Sequence, residues 1–327
     1  MDSGPEGPCC ELVAQERSGH TAVVVENRLY VWGGYMSVGE EEVFLPNYEI
    51  WVYDLERGIW DVFNMTGELP PPMSGTCGCS LDGDMYIFGG CDYSGQTNQL
   101  TDIYWGWNNE VHTFDPMNAS WRQPETHGCA PAPRAAHASS ILGCRGYICG
   151  GRIMETRRSD IYCLDLESWT WSEIVPVSAG PEGRSWHTLT AVSDSSLFLF
   201  GGLRVDCKPM SDGWLLDVET KKWREVDHNF KNKPRLWHTA CPCKDSDVIV
   251  FGGSCDYILR VDTGHCNDTL IFQMQPHPLF RICKDFIAKN VKKHEMLRSQ
   301  LTLLPPSLLT AVQSRMYFYR PSNKQTN

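Results

Sequence analysis

From the amino terminus to about Phe272 the chain is a succession of short apolar runs broken by turn residues, and five of them end on a glycine pair. These are "LYVWGG" ending at Gly33-Gly34, "MYIFGG" at Gly89-Gly90, "GYICGG" at Gly150-Gly151, "LFLFGG" at Gly201-Gly202 and "VIVFGG" at Gly252-Gly253. Apolar runs of this length bounded by glycine predict strands. Successive first glycines lie 56, 61, 51 and 51 residues apart, a spacing that predicts a repeat architecture. Within most units an apolar-Asp pair leads to a tryptophan: Tyr53-Asp54 with Trp60, Phe114-Asp115 with Trp121, Leu164-Asp165 with Trp171, and Trp223 closing the next. An Arg-x-x-His precedes every glycine pair but the second, as Arg17/His20, Arg134/His137, Arg184/His187 and Arg235/His238. After Phe272 the period changes. Leu279, Cys283 and Ile287 recur four apart in "PLFRICKDFI", one stripe of a helix. "LPPSLLTAV" then brings Leu304-Pro305, Leu308 and Val312 at a helical step, with proline suited to a first turn where its missing N–H costs nothing. Two or three helices are expected from about Pro276 to Tyr319.

The repeat resembles the kelch repeat, whose period is about 50 residues. Each unit is then a four-stranded antiparallel blade, and the blades circle a central channel. Glycine pairs suit places where strands crowd the axis, because only a residue without Cβ tolerates close backbone approach or positive φ. The late tryptophan fills the wedge between blades. Arginine and histidine at repeat-equivalent positions read as structural hydrogen-bonding groups. The expectation is an all-β kelch propeller over residues 1–273 and a helical segment over 274–327.

One stretch breaks the rhythm. After Gly90 the tryptophan arrives only at Trp121, 31 residues on, and this blade opens with "MSGTC" in place of Arg-x-x-His. It reads as the front of one blade joined to the rear of the next, with the junction near Thr101 to Tyr104 and the weakest packing expected there.

Composition then narrows the class. The chain has 327 residues, 42% hydrophobic and 21% charged, as an ordinary globular protein has. No apolar run reaches the ~18–20 residues of a membrane span. The start "MDSGPEGPCCELVAQE" lacks the basic and apolar stretches of a secretory signal. The expected location is therefore the cytoplasm, with the nucleus second. Fifteen cysteines, an odd number with several inside strand-like runs, read as reduced small hydrophobes. Cys77-x-Cys79 and Cys241-x-Cys243 lack second pairs at zinc spacing, so no metal or other cofactor is expected. From Met274 onward nine Lys/Arg face two Asp/Glu, leaving 20 against 38 in the body, a net −18 that should repel nucleic acid.

The tail carries a further resemblance. "PLFRICKDFI" matches the elongin-binding BC box, [Ser/Thr/Pro]-Leu-x-x-x-Cys-x-x-x-apolar, and "LPPSLLTAV" matches the downstream cullin-2 box. With the propeller before them, the chain resembles the kelch domain-containing substrate receptors of cullin-RING ubiquitin ligases, from about Glu16 to Met316. The resemblance implies a non-catalytic adaptor. Leu279, Cys283 and Ile287 would bind elongin B/C, and Leu304, Pro305, Leu308 and Val312 would bind cullin-2, with cullin-5 left open, and its RING protein.

Such receptors grip substrates whose chains end in Gly or Gly-Gly. The resemblance makes Arg152, Arg157 and Ser185 the clamp for the terminal carboxylate, with Trp186 and Trp107 as walls; read without it, loop arginines are solvated. Two guanidiniums and a hydroxyl can satisfy a carboxylate bidentately. The relatives have six blades and line the pocket with a lysine and a tyrosine from a segment absent here, so a shortened isoform with a weakened pocket is expected. Two other readings stay open: a kelch scaffold that binds protein without ubiquitylation, and a propeller oxidase, which would need a Tyr/His metal cluster.

Overall fold

The structure, a computed structural model, describes residues 12–39, 41–92, 106–243, 247–257, 264–275, 279–291 and 299–318. The expected junction at Thr101 to Tyr104 lies outside them. The chain divides into two compact units, residues 1–243 with 248–272, and residues 244–247 with 273–327.

The first unit is a five-bladed β-propeller. Blade one is built from Thr21–Val25, Arg28–Trp32, Glu49–Asp54 and Ile59–Asn64, adjacent in that order and antiparallel. Blade two uses Cys77–Leu81, Asp84–Asp92, Gly106–Asp115 and Ser120–Arg122. Blade three uses Ala138–Leu142, Arg145–Cys149, Ile161–Asp165 and Thr170–Ile174, and blade four Thr188–Ser193, Ser196–Phe200, Gly213–Asp217 and Lys222–Val226. Blade five has three described strands, Thr239–Pro242, Val248–Phe251 and Thr269–Phe272.

The core lies between blades rather than within them. Trp121 of blade two packs on Trp32 of blade one with centroids 5.3 Å apart, and Trp171 of blade three meets Phe88 of blade two at 6.4 Å. Trp223 of blade four sits in one cluster with Cys149 of blade three. The late tryptophans of blades two, three and four thus fill the wedge against the preceding blade. Trp121 is 1% exposed, so truncation to alanine would cost on the order of 3–5 kcal/mol.

The repeated arginines staple each blade to itself. Arg134 donates to the Gly150 carbonyl (2.9 Å) and to Asp160 (2.6 Å). Arg184 does the same with Gly201 (3.0 Å) and Asp212 (2.7 Å). Histidines reach across the seam instead: His137 Nε2 lies 2.9 Å from the Phe88 carbonyl of the blade before.

Two backbone bonds recur at each seam. The second glycine of a pair donates to the carbonyl of the next blade's arginine, as Gly90 to Arg134 (2.9 Å), Gly151 to Arg184 (2.8 Å) and Gly202 to Arg235 (2.7 Å), with Met73 replacing arginine for Gly34 (2.8 Å). The third residue of each Arg-x-x-His motif, always at positive φ, donates to its counterpart one blade earlier. The ladder runs Gly75 to Gly19 (2.9 Å), Ala136 to Gly75 (2.9 Å), Trp186 to Ala136 (2.8 Å) and Trp237 to Trp186 (3.2 Å).

The fifth seam is different. Among the described residues no such bond joins blade five to blade one: Gly253 N–H, Trp237 C=O and Gly19 N–H have no partner, and the Arg17 C=O is taken by the His20 ring of its own motif. The residue before each glycine pair reports the same thing. Trp32, Phe88, Cys149 and Phe200 are at most 1% exposed, and Phe251 is 52% exposed. Meanwhile the joined blade two is a complete sheet, continuous in register apart from a shift between Phe88 and Gly90. Among the described residues the unbridged seam is therefore the one at ring closure, while the expected junction lies outside them. The physical reason is that loss of about one repeat leaves two compatible half-blades, whose ladder hydrogen bonds re-form one blade, so the deficit appears as an unfilled seam.

The second unit pairs helix α1, Leu279–Val291, with helix α2, Pro306–Phe318. Arg315 of α2 donates to Asp285 of α1 at 2.7 and 3.3 Å. Ala288, Val291 and Val312 are fully or almost fully buried.

Candidate functional site

Arg152 and Arg157 face each other directly in a two-stranded hairpin, Arg152–Ile153 with Thr156–Arg157, that rises from blade three after its glycine pair. Arg152 is fastened at its base by reciprocal bonds with Ala135 (3.2 and 2.7 Å), and its Nε donates to the Met154 carbonyl at 2.7 Å. Each guanidinium lies over a tryptophan: Arg152 over Trp107 at 5.7 Å and Arg157 over Trp186 at 5.6 Å. Trp107 is delivered by the rear half of the joined blade, opposite Cys91.

Ser185 is fully buried and its Oγ has no partner; the Arg157 Nε is also buried and unpartnered. Burial first, and the neighbouring Arg152 second, push the Arg157 guanidinium down. A buried donor left unmade costs about 1–3 kcal/mol, so these groups favour an acceptor. Arg158, adjacent in sequence, is spent on Asp160 at 3.0 Å. The five expected residues Arg152, Arg157, Ser185, Trp186 and Trp107 are therefore brought to one region.

Two residues escaped the sequence reading. Trp237 packs edge-on against Trp186 at 5.5 Å, and Tyr257 stacks on Trp186 at 6.2 Å. Trp237 was detectable, since "RLWH" repeats "RSWH" in register; Tyr257 lies in a loop after a glycine pair and offered no pattern. The positive-φ ladder reads Gly19, Gly75, Ala136, Trp186, Trp237 from blade one to five. The ladder itself is consequently built of small residues on blades one to three and of tryptophan on blades four and five. A cleft of about 700 Å³ lies elsewhere and is lined by Asp165, Glu167, Asp194 and Glu219 with Arg145. Its carboxylates give it the wrong sign for an anion.

In the helical unit Leu279 is 75% exposed, Cys283 is exposed and Phe286 is 68% exposed, while Ile287 is half-buried. Leu304 and Leu308 are half-buried and Pro305 is exposed. Val312 is fully buried. α2 begins at Pro306, which makes that residue, one beyond Pro305, the helix-initiating proline.

These features define a kelch-repeat propeller of the interaction-protein class. Residues 8–202 match the KLHDC2/KLHL20/DRC7 Kelch-repeats domain, and residues 187–227 match the Kelch motif. The chain belongs to the family of kelch domain-containing proteins 1 and 2. It is 44% identical to human Kelch domain-containing protein 1, covering 95% of this chain and 93% of that one. It is 42% identical to the mouse protein over 97% and 94%, and 35% identical to bovine Kelch domain-containing protein 2 over 92% and 90%. The human alignment runs 379 positions although only 95% of 327 residues take part, leaving about 68 positions without a counterpart here, slightly more than one repeat. Among solved structures, that of YjhT superposes with a TM-score of 0.60 at 16% identity, over 78% of this chain and 81% of that one, a likeness of fold alone.

Proposed function

We propose that this protein is a substrate-recognition subunit of a cullin-RING ubiquitin ligase. The propeller binds a free C-terminus ending in Gly or Gly-Gly, and the helical unit recruits elongin B/C and cullin-2. The observation that carries the first half is the set of unpartnered donors, Arg157 Nε and Ser185 Oγ, buried beside Arg152 between two tryptophans. A carboxylate is the ligand whose lone pairs match two guanidiniums and a hydroxyl. Aromatic walls that close on the chain end favour residues without a side chain. The second half is supported by Leu279, Cys283 and Phe286, an exposed apolar stripe of the kind a partner groove covers in helix-in-groove binding.

The open seam beside Trp237 favours a second reading, a kelch scaffold that binds protein without a working terminal pocket. Fluorescence polarisation with peptides ending Gly-Gly acid, Gly-Gly amide and Gly-Gly-Lys separates the two. The receptor reading requires the acid to bind best and Arg152→Ala or Arg157→Ala to lose that preference, an effect of about 2–5 kcal/mol for a desolvated charge pair. Equal binding of all three peptides refutes the clamp.

A further inference from the structure

We infer that the open seam between blades five and one is a binding site for an extended polypeptide segment held by its backbone. Resting on the receptor reading above, that segment is the stretch of substrate immediately upstream of its terminal glycines. The four interior seams show what such a surface satisfies, because each is closed by the same alternation of N–H and C=O groups. At the fifth, Gly253 N–H and Trp237 C=O stand unpaired on the blade-five side and Gly19 N–H on the blade-one side, where the Arg17 C=O is held only by the His20 ring of its own motif. An extended chain is the ligand whose own donors and acceptors alternate in this way, the chemistry of strand addition.

Space and apolar surface agree. A Cβ placed on Gly150 or Gly201 would lie 2.8 or 2.9 Å from the histidine of the next blade, and on Gly252 it would meet nothing nearer than 3.9 Å. The seam exposes Phe251 (52%), Ile271 (53%) and Val24 (47%). Trp60, whose counterparts pack on the preceding blade, rests instead on Trp51 and Tyr53 of its own sheet, at 6.4 and 5.1 Å. Continuity fixes the occupant, since Trp237 is at once the last residue of the seam ladder and a wall of the aromatic cluster with Trp186. A chain whose end reaches Arg152 and Arg157 past Trp186 meets the seam next.

The experiment uses the full-length protein and fluorescent peptides of four and twelve residues with the same Gly-Gly acid end. The twelve-residue peptide should bind at least ten-fold tighter. N-methylation at one of the four residues before the glycines should abolish that gain, and so should Phe251→Ser, which alters an exposed side chain. The four-residue peptide should be indifferent to Phe251→Ser. Equal affinity of the two peptides, or no effect of any N-methylation, overturns the inference even if acid still beats amide. Loss of the acid preference with the N-methyl effect retained refutes the terminal clamp and leaves the seam standing. A dimer in sedimentation that Phe251→Ser dissolves would assign the seam to a second copy and overturn the peptide assignment.

Discussion

Lowering the pH from 7.5 to 5 should destabilise the propeller steeply, through three histidines that hold no proton in the folded state. His137, His187 and His238 are 5, 5 and 6% exposed. Burial, followed by the arginine three residues earlier in each motif, pushes His137 and His238 down to about 3 and His187 well below its ordinary value. In the unfolded chain each titrates near 6.5. Between those values the unfolded state binds a proton that the folded state refuses, so stability is complete above about pH 6.5 and falls as the pH drops below it. The slope is about 1.4 kcal/mol per pH unit for each histidine. From pH 6.5 to 5 that is about 2 kcal/mol each and about 6 kcal/mol together, within the ~5–15 kcal/mol typical of a domain.

The window isolates the histidines from the acids. Burial opposes the ionised forms of Asp160 and Asp212, but their arginine partners outweigh it and hold both carboxyls below the usual range, while Asp268 is drawn down to about 2 by Arg235 and Lys233. Their contributions are lost only below about pH 4. Urea unfolding followed by tryptophan fluorescence at half-unit pH steps measures the curve. His137→Gln should lower stability at pH 7.5, because the bond to the Phe88 carbonyl is disturbed, yet reduce the slope between pH 6.5 and 5 by about 1.4 kcal/mol per pH unit, the contribution of one histidine. A stability that stays flat over that range, or a slope unchanged in the variant, refutes the account.

Leu279→Ala should weaken elongin B/C pull-down by on the order of 2 kcal/mol or more, with no change in the thermal stability of the propeller, because Leu279 is exposed in the free protein; unchanged recovery of elongin removes that half of the proposal. Amide exchange should be fast at Gly19 and Gly253 and slow at Gly75, Gly90 and Gly151, whose N–H groups are bonded across seams; equal protection at all five would mean that the ring closes in solution.

The repeat carried its own fold because each element of it has a local physical reason. Glycine pairs, an Arg-x-x-His and a late tryptophan recur because every interior seam needs the same close approach, staple and filler, so one alignment of the chain with itself locates the blades. The candidate clamp was named for a different reason: Arg152 and Arg157 follow a glycine pair and Ser185 opens the next blade, but only the resemblance to the receptor family singles them out, since loop arginines by themselves read as solvated. What sequence could not supply was the consequence of a missing unit. A count of glycine pairs gives five blades, but whether five close depends on blade angle, which no residue type encodes. It also hid the depth of Val312, since a helical step of four marks a stripe without saying which partner covers it. Propeller seams repeat one interaction, so removing a unit leaves every surviving contact satisfied and exposes a single pair of faces that were already matched to a neighbour. The chain therefore keeps Arg152, Arg157 and Ser185 together on blades three and four while, among the described residues, the seam beside Trp237 is left unbridged.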